Sequence, residues 1–220
     1  SLDDEQALFF YNGLMEKLQP YLDDGTLVCK SGQITFEETG ILRWSTDEAQ
    51  SRAEEMLSEF YSDTETPDII CTGFDGAAES VSKVLQDNGL TPGENWPMIT
   101  GVGCDSEAVR DIAESEISCS VFMDRGELAD RAEDMVNVYL HGEDDPEVND
   151  YEQYDNGTKI IASYLCEPQL ISIDNYELLI DNGYYTEDEV KPEATPTPTE
   201  EPVTPTPTET AGPTETVTPS

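Results

Sequence analysis

The chain has 220 residues and a formal net charge of −39, from 10 Lys and Arg against 49 Asp and Glu. Phosphate backbones are held by clustered cations, which this chain lacks, so nucleic-acid partners are excluded and docking on anionic lipid is disfavoured. The length fits one sizeable domain with or without an appendage, and no apolar run approaches the ~18–20 residues that span a bilayer.

In chain order, apolar spacing predicts an amphipathic helix over about Asp4–Leu22, with Leu8, Tyr11, Leu14, Met15, Leu18 and Leu22 on one face, ending at Gly25. A strand over Thr26–Lys30 and a helix over about Asp47–Tyr61 follow. A regular alternation then begins. Strand Asp68–Thr72 leads to helix Ala77–Asn88, closed by Gly89. Strand Met98–Val102 leads to helix Glu107–Glu114, and strand Ile117–Phe122 leads to helix Glu127–Leu140, closed by Gly142. Short apolar runs between amphipathic helices imply an α/β fold, a parallel sheet with helices on both faces. After His141 the text changes to strands and turns, expected to cross rather than to add another βα unit.

Residues 191–220 carry eight of the fourteen prolines and ten threonines, with no aromatic residue. That composition cannot bury enough apolar surface to offset ordering entropy, so a disordered, extended tail is expected, either a stalk or a solubility segment. The tail holds one Lys and five Glu, a net of −4, which leaves −35 on residues 1–190. Such a surface suits an exported, soluble protein. The first residue is Ser rather than Met and no signal peptide is visible, so a processed or truncated beginning is expected. Five cysteines without a CxxC pair argue against metal and redox motifs, and buried free thiols or one disulfide are the readings left. No calcium-loop pattern occurs, and neither cofactor nor metal is expected.

In open parallel sheets, ligands sit outside the carboxyl ends of the strands. Those ends read Gly73-Phe74-Asp75, Gly103-Cys104-Asp105 and Phe122-Met123-Asp124, so three strands bring an aspartate to one rim. A carboxylate accepts from two neighbouring hydroxyls at once, the chemistry a polyhydroxylated ligand needs. Asp is also a favoured N-cap, each of these precedes a helix, and Asp124-Arg-Gly-Glu127 fits a capping box. Trp44 precedes the second helix. Its face suits the apolar face of a sugar ring and the Arg43 fork suits hydroxyl oxygens; core packing of Trp44 and an ion pair for Arg43 are the alternative. Gly101-Val-Gly103 is only a fragment of a dinucleotide loop, no phosphate loop occurs, and the single His141 has no Ser or Cys partner, so enzyme readings are poor.

Several blocks occur in one order: Phe9-Phe10-Tyr11-Asn12-Gly13, Lys30-Ser31-Gly32-Gln33, Leu42-Arg43-Trp44, Phe74-Asp75-Gly76, Tyr154-Asp155-Asn156-Gly157, Ser163-Tyr164-Leu165 and Gly183-Tyr184-Tyr185. Over residues 1–190 the chain resembles the type I periplasmic sugar-binding proteins, and among them the multiple-monosaccharide receptors of glucose/galactose/xylose ABC importers. The resemblance implies the second of two α/β lobes plus the late crossing strands, with most of the first lobe lacking. It implies that Asp4, Gln6 and Asp105 hydrogen-bond a monosaccharide, that Trp44 stacks on its ring and that Arg43 lies beside it. Phe74 and Met123 stand where relatives carry polar contacts. The implied role is non-catalytic: a monomeric receptor in the periplasm or at the cell surface, delivering sugar to an ABC permease or a membrane sensor. A surface adhesion module built on the same lobe is the alternative. A repressor effector domain is disfavoured, since no helix-turn-helix segment occurs.

Overall fold

A computed structural model describes residues 1–61, 65–142 and 145–190. The expected tail, residues 191–220, lies outside the described residues. The long helices are α1 (Glu5–Asp23), α3 (Thr46–Phe60), α4 (Asp75–Asp87), α5 (Ser106–Ala113) and α6 (Arg125–His141). Short helices are α2 (Phe36–Thr39), α7 (Glu177–Asp181) and α8 (Glu187–Val190). The strands β1 (Ile69–Cys71), β2 (Met98–Val102), β3 (Cys119–Phe122) and β4 (Gln169–Ser172) form one sheet in the order β1-β2-β3-β4.

The first two pairings are parallel, with Ile70 opposite Ile99 and Gly101 opposite Ser120, while β4 runs antiparallel to β3 with Ile171 opposite Ser120. A parallel pair needs a crossover connection, which α4 supplies between β1 and β2 and α5 between β2 and β3, as the alternating text led one to expect. Side chains alternate across a strand. One face therefore collects Ile99, Ser120, Phe122 and Ile171, all buried. Against it lie Ala78, Val81 and Leu85 of α4 and Ala108, Val109 and Ile112 of α5, joined by Leu179 and Val190. Each fully buried aliphatic side chain contributes on the order of 1.5–3 kcal/mol, so this layer anchors the lobe. The opposite face is more open, with Ile69, Met98 and Leu170 exposed.

Helix boundaries follow their local chemistry. Asp105 accepts from the Ala108 amide at 3.0 Å and caps α5; Asp124 accepts from the Glu127 amide at 3.0 Å and caps α6. Gly142 closes α6 with φ 64, a left-handed conformation that glycine adopts without a Cβ clash.

Three expectations need correction. Thr26–Lys30 forms no strand: the Leu27 amide returns to the Tyr21 carbonyl at 2.9 Å, the Gly32 amide to Cys29 at 3.0 Å, and no described strand lies alongside. The apolar face predicted for α1 is only partly covered: Tyr11, Met15, Leu18 and Leu22 are half-buried, while Leu8 and Leu14 are exposed. The expectation of buried cysteines holds for Cys104 alone, because Cys29 and Cys71 are exposed. All five are free thiols. Cys71 and Cys119 both register with Thr100 from opposite sides, which sets them two strand spacings apart, ~9–10 Å, beyond disulfide reach. The crossing text after His141 yields antiparallel bridges, Asp150 to Ser163 and Asp155 to Ile160, before β4.

Candidate functional site

The rim is built from two directions. At the amino-terminal corner, Asp4 is the N-cap of α1 and uses both carboxylate oxygens. Oδ1 accepts from the Gln6 amide at 2.9 Å and Oδ2 from the indole Nε1–H of Trp44 at 3.1 Å. Arg43 and Trp44 both have positive φ, 56 and 51, immediately before the Ser45 cap of α3. A non-glycine residue there costs on the order of 1–3 kcal/mol and persists only when its surroundings hold it. The holding groups are visible: Asp3 Oδ1 accepts from the Arg43 amide at 2.9 Å, and Ser1 Oγ accepts from the Trp44 amide at 3.3 Å. The indole then meets Phe74 edge-on, with ring centroids 5.4 Å apart at 81°. Trp44 is half-buried, so the core alternative does not describe it.

From the sheet side, Asp75 opens α4 and is 2% exposed. Its Oδ1 accepts from Ser120 Oγ at 2.6 Å and its Oδ2 from the Asp105 amide at 3.0 Å. Burial pushes its carboxyl upward, and the hydrogen bond from Ser120 opposes that shift. The expectation that Asp75 itself contacts a ligand is therefore corrected. Its carboxylate is enclosed, and its bonds run to β3 and to the turn after β2. Asp105, in contrast, is exposed at the end of β2 while one oxygen caps α5. Asp124 is also a cap, and the Tyr184 hydroxyl beside it holds its carboxyl below the usual range.

Asp4, Trp44 and Phe74 thus meet directly, and Asp105 joins them through Asp75, the residue after Phe74. The side chains of Gln6 and Arg43 are exposed beside this corner. Met123, at the end of β3, is 52% exposed. What reading the sequence missed is the interior brace of Asp75, Ser120 and the two glycines of Gly101-Val-Gly103. The signal was present, but it resembled a broken dinucleotide loop.

Behind the rim, α4 and α5 meet across an acidic seam. Glu79 Oε1 is buried without a hydrogen-bond partner among the described residues. Burial, then the nearby Asp105, Asp111, Glu107 and Asp75 charges, push its carboxyl up to about 8. Asp111 is pushed up to about 7 by burial and by Glu116 and Glu114. Among the described residues no group of three or more His, Cys, Asp or Glu side chains is arranged to hold a metal ion. A half-open hollow of about 490 Å³ lies away from the rim, between α6 and Pro146–Glu147, lined by Arg131, Met135 and Val138.

Residues 1–144 match the periplasmic binding protein domain. The chain belongs to the periplasmic binding protein family, with the type I fold. It is 39% identical over 193 residues to the multiple sugar-binding periplasmic receptor ChvE of Rhizobium radiobacter, covering 87% of this chain and 54% of that protein. It is 37% identical to the multiple sugar-binding periplasmic protein SbpA of Azospirillum brasilense, covering 87% and 53%. An ABC transporter solute-binding protein from Clostridium phytofermentans, solved with bound β-D-glucose, superposes with a TM-score of 0.73 at 40% identity, covering 83% of this chain and 56% of that one. The chain thus spans about half the length of the relatives it matches.

Proposed function

We propose that residues 1–190 form one wall of a monosaccharide-binding cleft in a non-catalytic receptor that delivers sugar to an ABC permease from the periplasm. The observation that carries this reading is the Trp44 indole, held by Asp4 Oδ2 at 3.1 Å and set edge-on to Phe74 at the strand carboxyl ends. An indole fixed in this way offers a flat apolar face to a sugar ring, while exposed carboxylates and a guanidinium take its hydroxyls. Asp4, Asp105, Gln6 and Arg43 are the polar contacts in this reading. Phe74 contributes through the indole it supports, and Asp75 from behind the rim. The sugar-binding receptors among the relatives support the ligand class, and the glucose-bound neighbour makes D-glucose the first probe. No helix of the described residues is long and apolar enough to cross a membrane.

The test is calorimetry of the chain against a panel of aldoses and ketoses. Saturable heat with at least one monosaccharide is expected. A panel giving neither heat nor thermal shift at millimolar sugar would contradict the proposal.

A further inference from the structure

We infer that Asp75 is a positioning residue: its enclosed carboxylate holds the β2–α5 turn so that Asp105 faces the rim. The inference rests on the ligand reading for its purpose, and its structural half stands on separate observations. Asp75 Oδ2 accepts from the Asp105 amide at 3.0 Å, and Oδ1 accepts from Ser120 Oγ at 2.6 Å. Ser120 Oγ in turn accepts from the Cys104 amide at 3.2 Å. One carboxylate and one hydroxyl thus secure two consecutive amides of the turn.

Two glycines make the space. A Cβ on Gly101 would overlap Asp75 Oδ1, and one on Gly103 would lie 3.0 Å from Oδ2. Gly103 has φ 132 and Cys104 φ 54, so the turn is held in conformations that relax if its anchors are removed. The Tyr185 hydroxyl donates to the Cys104 carbonyl at 2.7 Å and ties the same turn from the other side. Gly101-Val-Gly103 is therefore a socket for a carboxylate arriving from α4, and its spacing has no need of a nucleotide.

The chemistry separates two variants. In Asp75→Asn the amide oxygen still accepts from the Asp105 N–H, and the NH2 group donates to Ser120 Oγ. In Asp75→Ala both donors lose their acceptor, and an unsatisfied buried amide is costly. The experiment compares the unsubstituted full chain, Asp75→Asn and Asp75→Ala by far-UV circular dichroism, 1H–15N amide spectra and D-glucose titration. Asp75→Ala is expected to keep its helical signal, to shift the Asp105 amide proton upfield with faster hydrogen exchange, and to weaken D-glucose binding by about tenfold. Asp75→Asn is expected to return the affinity to within about threefold, with the Asp105 amide still protected but moved upfield, since a neutral acceptor bonds more weakly.

An Asp105 amide unmoved in folded Asp75→Ala overturns the inference, as do two variants that lose affinity alike. Should Asp75→Ala not fold, Asp75→Asn decides: protection of the Asp105 amide with an upfield shift supports the role, and exchange at the rate of an open amide overturns it. If the unsubstituted chain shows no D-glucose binding, the choice of ligand falls, and the Asp105 amide alone then decides the positioning role.

Discussion

At the sheet side of the rim, Asp75 is shut away from solvent and its partners are a hydroxyl of β3 and an amide of the β2–α5 turn. At the amino-terminal corner, Asp4 stays half-buried and its main long-range partner is a side chain, the Trp44 indole. The same residue type thus does different work because its surroundings differ. A carboxylate with enclosed donors stiffens a turn, while one at the surface aims a ring and keeps an edge toward solvent. The comparison predicts that substitutions on the sheet side change stability first, and that those at the corner change ligand binding first.

The largest effect expected from this contrast is in the core. Ile112→Ala removes a fully buried side chain from α5 and is expected to cost about 2–5 kcal/mol in denaturant unfolding. Leu14→Ala, at an exposed position of α1, is expected to cost less than ~1 kcal/mol. Equal losses would break the distinction between the two regions. Next in size is Trp44→Ala, expected to weaken monosaccharide binding by on the order of 1–3 kcal/mol, the scale of an aromatic anchor. Isothermal calorimetry on the same chain measures it, and an unchanged affinity would make Trp44 a purely structural residue.

A smaller effect sharpens the comparison through pH. The Glu79 carboxyl rises from its ordinary value of 4.5 to about 8 in the folded chain. A folded chain that holds this proton more tightly than the unfolded chain has its full contribution below about pH 4.5. The contribution is lost as pH rises through about 8. Asp111, raised from 3.8 to about 7, acts in the same direction from the other side of the seam. Unfolding free energy is therefore expected to fall between mildly acid and mildly alkaline pH. Glu79→Gln flattens that slope and gains over the unsubstituted chain at pH 8, measured by urea unfolding at a series of pH values. A slope of the opposite sign in the unsubstituted chain would reject the seam as its source. A local effect belongs to Asp124→Ala, which removes the α6 cap and is expected to cost about 1 kcal/mol in urea unfolding without altering sugar affinity.

The regions also differed in how far they could be read from sequence. The strand Met98–Val102 and the caps at Gly89 and Gly142 were legible because apolar runs and glycine stops are local signals. Thr26–Lys30 misled because a short apolar run becomes a strand only beside a partner, and none of the described strands lies there. The place of Trp44 just before a helix was legible, whereas its left-handed backbone was not, since its anchors Ser1 and Asp3 lie some forty residues away in sequence. Asp75 looked like a surface ligand because the space that encloses it is made by Gly101, Gly103 and Ser120, distant in sequence and brought together only by the parallel pairing of β2 and β3. Local chemistry marked residues that end up along the rim; long-range register decided which way they face.

The chain has two tryptophans, and they offer a built-in contrast. Trp96 donates its indole N–H to the Glu116 carbonyl at 2.8 Å, away from the rim, while Trp44 donates to Asp4. A titration of the 15N-labelled chain with D-glucose, following both indole signals, therefore tests the site most directly. A saturable shift of the Trp44 indole with the Trp96 indole unmoved is the predicted result. Saturable binding that moves Trp96 and leaves Trp44 in place would contradict the account.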